Sequence, residues 1–163
     1  YTVFPPAVLT QLLHAKDHIN SNFDLSHLTI VGSGSAPLSP AMIAGFKSEF
    51  GIEVVNIFGS NEGMSLLSDP FDVPEPADRA SFFPRFGRPE FKWDNGVARQ
   101  ISTKLVDIDS GEEIVHQGQI GECLLKGPTV FDGYYNSPDD NTGNSDKSFS
   151  FTFTSSSIYF ISL

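Results

Sequence analysis

The sequence predicts an α/β fold: a βαβ piece of a parallel sheet, followed by a small antiparallel piece of β-barrel-like character. An apolar run at Leu28–Val31 ends at Gly32, and a glycine-serine loop and a helical segment lead to a second β-rich run at Ile52–Ile57. Strands joined through a helix in this way are usually parallel neighbours. A hairpin signal after residue 98 predicts the antiparallel piece.

Composition and charge limit the classes of function. The chain has 163 residues, with 10 Lys and Arg against 20 Asp and Glu, and a formal net charge of −10. Because nucleic-acid binding needs clustered cations, this balance argues against a nucleic-acid partner. No apolar run reaches the roughly 18–20 residues of a membrane span. The single Cys123 excludes a disulfide within the chain, and a reducing compartment fits it. We expect an intracellular protein, and the sequence leaves undecided whether it is cytoplasmic or peroxisomal.

The first half of the chain shows two helical patterns. After Pro5 and Pro6, apolar residues at helical spacing predict one helix that ends near Asn20; they are Val8, Leu9, Leu12, Leu13 and Ile19. Ser39-Pro40 is typical of a helix start, and Gly51 of a helix end, so Ala41–Phe50 is predicted as a second helix.

The second half is richer in turns. Five prolines between residues 69 and 90 predict an irregular connection. Strands are then expected at 101–108 and 114–115, joined by a turn at Asp109–Glu112, and at 120–126. Alternating Phe and Ser at 148–157 could form one more strand with a Phe face. We therefore divide the chain into an α/β piece, a connection, a barrel-like piece and a low-complexity tail: 1–68, 69–97, 98–137 and 138–163.

Two loops follow the predicted parallel strands and are the candidate site. Gly32–Leu38 offers small residues and free backbone groups, and the segment from Phe58 to Gly63 offers an aromatic ring, a hydroxyl, an amide and a carboxylate. Ligands of open parallel sheets bind at the carboxyl ends of strands. A ring for a base, polar groups for phosphate and Glu62 for Mg²⁺ suit a nucleotide. Taken singly, these features are better explained by a tight turn, a core ring and a surface carboxylate.

Four segments in order resemble the adenylate-forming enzymes, the superfamily of acyl-CoA synthetases, 4-coumarate–CoA-ligase-like and luciferase-like enzymes, and peptide-synthetase adenylation domains. Phe23–Leu28 resembles "D-L-S-x-L", and Gly34–Ser39 resembles "G-G-A-P-L-S". Asn56–Gly63 is similar to "x-Y-G-x-T-E", and Gly121–Asn136 to "G-E-L-x-x-x-G-x-x-x-x-x-G-Y-x-N". The resemblance implies that the α/β piece is part of the N-terminal domain of such an enzyme.

The resemblance also implies roles for single residues. The nucleotide-binding set would be Gly34, Ser35, Ala36, Pro37, Phe58, Gly59 and Ser60. Within it, Ser35 to Pro37 would lie against adenine, and Phe58, which replaces the usual Tyr, would stack on it. Asn61 stands at the position of the phosphate-contacting Thr, and Glu62 at that of the catalytic, Mg²⁺-binding carboxylate.

The acyl pocket would begin at Ile57, Gly63 and Met64. Ile57 stands where relatives with large acyl pockets often have Gly, which is compatible with a narrower pocket. Most of the pocket would lie upstream, so the sequence leaves the carboxylic acid unassigned.

The implied reaction is ligation of a small-molecule carboxylic acid to CoA through an acyl-adenylate, with ATP, Mg²⁺ and CoA. Gly127–Phe131 favours the acyl- or aryl-CoA ligase branch. Two alternatives stay open: a non-catalytic degenerate paralogue or decoy product, and an adenylation domain that loads a carrier protein. The oligomeric state is not predicted.

The family's phosphate loop, its ribose-binding "T-G-D" motif and its catalytic lysine have no counterpart in this sequence. The chain begins at Tyr1, and we expect an internal fragment that is inactive alone. From residue 148 a Ser/Phe run replaces the expected motif, so 148–163 are expected not to be family sequence.

Other reactive side chains are interpreted as structural. Cys123 lies in a predicted strand with no base near it in sequence, which is typical of a buried, unreactive thiol. His14 and His18 are four residues apart on a helix without a third metal ligand, which is typical of a solvated face.

Overall fold

The computed structural model describes residues 2–63, 65–115, 119–139, 141, 148–152 and 159–161, with the backbone alone for the last two ranges. The chain divides into two compact units. The first unit comprises residues 1–59 and 66–84, and the second comprises 60–65 and 85–163. Among the helices of these ranges, none is both long enough and apolar enough to cross a membrane.

A four-stranded sheet with neighbours in the order β1-β2-β3-β4 organises the first unit. The elements of the first unit, in chain order, are β1 (Thr2–Phe4), α1 (Pro6–His14), α2 (Lys16–Asn22), β2 (Ile30–Gly34), α3 (Pro40–Phe50), β3 (Glu53–Gly59), β4 (Ser65–Ser68), α4 (Pro76–Ser81) and β5 (Phe82–Pro84). β1, β2 and β3 are parallel, with Gly32 opposite Val55 and Gly34 opposite Ile57. The mixed α/β class and the parallel βαβ unit are therefore confirmed.

Both central strands are displaced toward the carboxyl end relative to the prediction. β2 begins at Ile30 because the amide of Leu28 donates to the carbonyl of Leu25 in a turn, at 2.8 Å. The predicted glycine loop is partly strand, since β2 continues to Gly34. There a Cβ atom would lie 2.1 Å from the carbonyl oxygen of Ile57, so the close approach of the two backbones demands glycine.

The helices agree with the sequence except at one break. The predicted first helix is two helices, interrupted at Ala15, whose φ of −95° and ψ of 14° end α1. α3 ends as predicted, with Gly51 in the left-handed conformation at φ 69°. The core of this unit combines helix and strand residues: Leu9, Val31, Leu38, Met42, Ile43, Phe46, Ile52, Val54 and Ala80.

The proline-rich connection is more regular than predicted, because α4 and β5 lie within it. Arg79 of α4 is 2% exposed. Its Nη1 donates to Glu53 Oε2 at 2.8 Å and to the carbonyl of Val54 at 3.3 Å, and its Nη2 donates to the carbonyl of Pro74 at 2.9 Å. The connection is thus anchored on β3.

A buried amide adds a second link between β3 and α4. Asn56 Nδ2 donates to the carbonyls of Arg79 and Ala80, at 3.0 and 3.2 Å. These two carbonyls belong to the last turn of α4, and no further helical turn follows whose amides could donate to them. Asn56 therefore satisfies groups that would otherwise be buried without a partner.

The second unit contains the predicted antiparallel strands. Its elements are a 3₁₀ helix (Gly96–Arg99), β6 (Ser102–Val106), β7 (Glu122–Lys126), β8 (Ser148–Thr152) and β9 (Tyr159–Ile161). β6, β7 and β8 form one antiparallel sheet, in which Cys123 lies opposite Leu105 on one side and Phe151 on the other. The antiparallel arrangement is confirmed, and barrel-like closure stays a prediction.

The second arm of the predicted hairpin is shorter than expected. The second arm of the hairpin is reduced to one bridge, between Val106 and Glu113. Its turn is present, with the amide of Gly111 donating to the carbonyl of Asp107 at 2.8 Å. In the Ser/Phe run, residues 148–152 are strand, and 153–157 lie outside the described residues.

Replacing Arg79 with Ala should lower the free energy of unfolding by about 3 kcal/mol, because buried acceptors and the Glu53 carboxylate lose their donor. The matched control is Lys16→Ala. Lys16 pairs with Glu49 at 2.7 Å, but the two side chains are 40% and 35% exposed. Its loss should cost much less than the loss of Arg79, because solvent screens an exposed pair. Urea unfolding followed by circular dichroism measures both, and equal losses would contradict the buried anchor.

Acid should weaken the same anchor. Burial by itself raises the pKa of Glu53, but hydrogen bonds from Lys47 and Arg79 outweigh it and hold the pKa below its ordinary value of 4.5. A lowered folded pKa stabilises the fold above that ordinary value, and the contribution disappears as pH falls through the folded value. The stability difference between the wild type and Glu53→Gln should therefore shrink on acidification, and a constant difference in urea titrations would contradict this.

Candidate nucleotide site

One group of candidate residues lies at the carboxyl edge of the parallel sheet in the first unit. Because Gly34 is opposite Ile57, the loop after β2 and the end of β3 meet at this edge. Ser35, Ala36 and Pro37 are exposed. Phe58 is half-buried, and the edge of its ring meets Phe83, with centroids 6.2 Å apart. Phe58 and Gly59, predicted as loop, belong to β3.

Ser35 adopts a backbone conformation that glycine prefers. Its φ is 70°, in the left-handed region, which costs a residue with a Cβ atom roughly 1–2 kcal/mol. The motif that this segment resembles has glycine at the same position. The requirement for positive φ supplies a physical reason for that glycine, and strained backbone of this kind often occurs at functional sites.

A second group of candidate residues lies in the loop Ser60–Gly63, which belongs to the second unit. It closes as a turn, with the amide of Gly63 donating to the carbonyl of Ser60 at 3.1 Å. Asn61 is exposed and Glu62 is half-buried. Met64, an expected acyl-pocket residue, lies outside the described residues.

A distant segment of the same unit holds this loop. The amide of Phe131 donates to the carbonyl of Glu62 at 3.1 Å, and Thr129 Oγ1 donates to the carbonyl of Gly63 at 2.9 Å. Gly63 has a φ of 102°, and a Cβ atom there would lie 1.8 Å from the carbonyl oxygen of Thr129. Glycine at 63 is therefore required by contact as well as by conformation. The third and fourth motifs pack on each other.

Glu62 carries the charge of the loop. The Tyr134 hydroxyl donates to Glu62 Oε1 at 3.1 Å. The Ser60 side chain, the amide of Glu62 itself and the Tyr134 hydroxyl, in that order, hold the pKa of the carboxyl below its ordinary value. Ser60 Oγ is buried. Glu62 is thus ionised at neutral pH.

The donor set suits a cation that also binds phosphate. Among the described residues, no three His, Cys, Asp or Glu side chains are grouped to hold a metal by themselves. Mg²⁺ in nucleotide sites is commonly bound by one or two carboxylates together with phosphate oxygens. One ionised carboxylate on a fixed loop, as at Glu62, fits such a site.

Thr129 and Tyr134 have no predicted role in the sequence, although both lie in the fourth motif. Neither residue type signals a contact with a loop more than sixty residues earlier. The glycine at 63 is the local clue, because it shows that something approaches the backbone closely. Only the tertiary structure shows that the approaching group is the carbonyl of Thr129.

A sequence profile of the family described as "AMP-binding enzyme" matches residues 1–135. The chain belongs to the AMP-binding enzyme family. The matched range contains every candidate site residue, the first three motifs and all of the fourth except its last residue, Asn136.

Relatives and solved structures agree with this assignment. The chain is 34% identical over 119 residues to Triostin synthetase I of Streptomyces triostinicus, covering 73% of this chain and 20% of that protein. It is 28% identical over 149 residues to 4-coumarate–CoA ligase of Pinus taeda, covering 89% and 25% respectively. The fold is similar to that of the anthranilate CoA ligase AuaEII in complex with anthranoyl-AMP, with a TM-score of 0.65, 24% identity and coverage of 91% and 25%. The chain thus spans a quarter or less of each relative.

Cys123 has the properties expected of a strand residue. It is fully buried in β7, and burial raises the pKa of its thiol to about 12. The thiol therefore stays protonated at neutral pH, which does not suit a nucleophile.

Gly63→Ala should destabilise the second unit by about 3 kcal/mol or more, because the new methyl group meets the carbonyl of Thr129. Gly111→Ala is the matched control. Gly111 also has a positive φ, 69°, but a Cβ atom there meets nothing within 4 Å, so only about 1 kcal/mol of strain is expected. Equal losses in urea unfolding would show that the contact with Thr129 contributes nothing.

Proposed function

We propose that the chain is part of an ATP-dependent acyl- or aryl-CoA ligase that forms an acyl-adenylate and then a CoA thioester. The observation that carries the proposal is the ionised Glu62 carboxylate on a loop held by the fourth motif, in a chain of the AMP-binding family. The relatives with CoA ligase in their names support this branch.

The proposed roles in nucleotide binding are carried over residue by residue from the family motifs. Ser35, Ala36 and Pro37 would lie against adenine, and Phe58 would stack on it. Gly59, Ser60 and Asn61 would lie along the phosphates. Glu62 would hold Mg²⁺, which neutralises phosphate charge when it is bound.

The proposed reaction has two steps. A carboxylate oxygen of the substrate attacks the α-phosphorus of ATP, the bond to pyrophosphate breaks, and an acyl-adenylate forms. The sulfur of CoA then attacks the acyl carbon, the thiol proton is lost, and AMP leaves. Ile57, Gly63 and Met64 would contact the acyl group, and the parts expected upstream and downstream would supply further catalytic groups.

Two observations favour a second candidate, a degenerate paralogue or decoy that makes no adenylate. Phe58 lacks the hydroxyl of the usual Tyr, and Asn61 replaces the usual Thr. An amide can still donate to phosphate, but from a different geometry.

A carrier-loading adenylation domain is the third candidate. It differs from the first candidate in that a carrier protein, and not CoA, would take the acyl group.

The decisive test is Glu62→Gln in the full protein that the transcript encodes, defined by long-read sequencing across both ends of this segment. ATP–pyrophosphate exchange should fall about 100-fold or more, because the cation at the phosphates loses its carboxylate. Glu112→Gln, an exposed glutamate in the hairpin turn, should leave exchange unchanged.

Other outcomes separate the candidates. No exchange by the wild type with any carboxylic acid would favour the degenerate paralogue. Exchange followed by acyl transfer to a carrier protein, and not to CoA, would favour the carrier-loading domain.

A further inference from the structure

The carboxylate of Glu62 is bound by a side chain 72 residues later in the sequence. The Tyr134 hydroxyl donates to Oε1, at 3.1 Å. Glu62 itself lies on the turn Ser60–Gly63 and is half-buried. A hydrogen bond to one carboxylate oxygen restricts the rotamers of this side chain and fixes the direction in which the charge points.

Tyr134 is in turn fixed by Asn141. Asn141 Oδ1 accepts from the amide of Tyr134 at 2.7 Å, and Asn141 Nδ2 donates to the carbonyl of Tyr134 at 2.9 Å. Gly133, at φ 145°, lets this side chain approach, because a Cβ atom there would lie 2.7 Å from Asn141 Oδ1. Both backbone groups of Tyr134 are therefore held by one amide.

The ring of Tyr134 is placed by the same segment that holds the loop. It meets the ring of Phe131 edge to face, with centroids 4.9 Å apart and an interplanar angle of 76°. The amide of Phe131 donates to the carbonyl of Glu62 at 3.1 Å. The backbone and the side chain of Glu62 are thus both held by residues 131–134. This short segment fixes the position of the carboxylate.

We propose that Tyr134, held in place by Asn141, is a positioning residue that aims the Glu62 carboxylate at the cation accompanying the nucleotide. This inference rests on the proposed function, because it takes Glu62 as the residue that meets the cation. Residues that orient a metal-binding carboxylate typically change metal affinity about 10- to 100-fold when they are removed.

The test measures the affinity for ATP with Mg²⁺ present and with metal removed by a chelator, using calorimetry on the full protein that the transcript encodes. Tyr134→Phe keeps the ring against Phe131 and removes the hydroxyl. It should reduce the gain in affinity that Mg²⁺ provides about 10-fold. ATP affinity without metal, and the thermal midpoint without ligand, should stay at wild-type values.

Tyr135→Phe is the matched control. It makes the same chemical change one residue later, where the side chain is fully exposed. It should leave the Mg²⁺-dependent gain unchanged. Equal effects of the two Tyr→Phe variants would overturn the inference.

Asn141→Ala tests the second link. It should reduce the Mg²⁺-dependent gain, because Tyr134 loses both backbone partners. In the Tyr134→Phe background the same change should have little further effect on that gain, because the hydroxyl through which it acts is gone. Additive losses would show that Asn141 acts by another route and would overturn this part of the inference.

Glu62→Gln distinguishes failure of the inference from failure of the proposed function. If Glu62→Gln loses the Mg²⁺-dependent gain and Tyr134→Phe keeps it, the inference fails and the proposed function stands. If wild type and Glu62→Gln gain equally from Mg²⁺, or not at all, Glu62 is not the cation ligand and both fail. If Tyr134→Phe weakens ATP binding equally with and without metal, the role of Tyr134 is structural and the inference fails.

Discussion

The close pairing of β2 with β3 is the constraint on which the first unit depends. At Gly34 the two backbones approach so closely that no side chain fits between them. This pairing sets the register that brings Ser35 and the end of β3 to one edge of the sheet. It also explains the positive φ of Ser35, because the chain must leave the strand sharply after a contact that allows no shift.

The buried cation Arg79 links the sheet to the segment that follows it. Arg79 is enclosed, yet its guanidinium finds a carboxylate and carbonyl groups on β3 and in the loop before α4. Burial of a charge is tolerated only with such partners, and removing one of them leaves the others uncompensated. Residues 69–84 of the proline-rich segment therefore belong to the α/β unit, with Asn56 providing a second, uncharged link.

In the second unit, the candidate site residues Glu62 and Gly63 are held in place by contacts between motifs. Gly63 admits the carbonyl of Thr129, and Tyr134 reaches the Glu62 carboxylate. A motif pair that looks like two separate signatures in sequence is one hydrogen-bonded assembly in space. These contacts give a physical reason for the family motif that ends in Gly-Tyr-x-Asn, because its residues hold the loop Ser60–Gly63.

The sequence by itself determined the α/β class, the parallel strands, the helix that ends at Gly51 and the family, because periodicity, glycine stops and motif order are local signals. It placed Glu62 and Phe58 among the candidate residues but gave Phe58 to a loop, since strand ends carry no sharp local mark. It missed α4, where Arg79 and Asn56 offset the weak helical signal of a proline-rich segment. Only tertiary structure decided that Thr129, Tyr134 and Asn141 support Glu62. Hydrogen bonds between residues far apart in the chain depend on where the backbone folds back, and no local pattern records that.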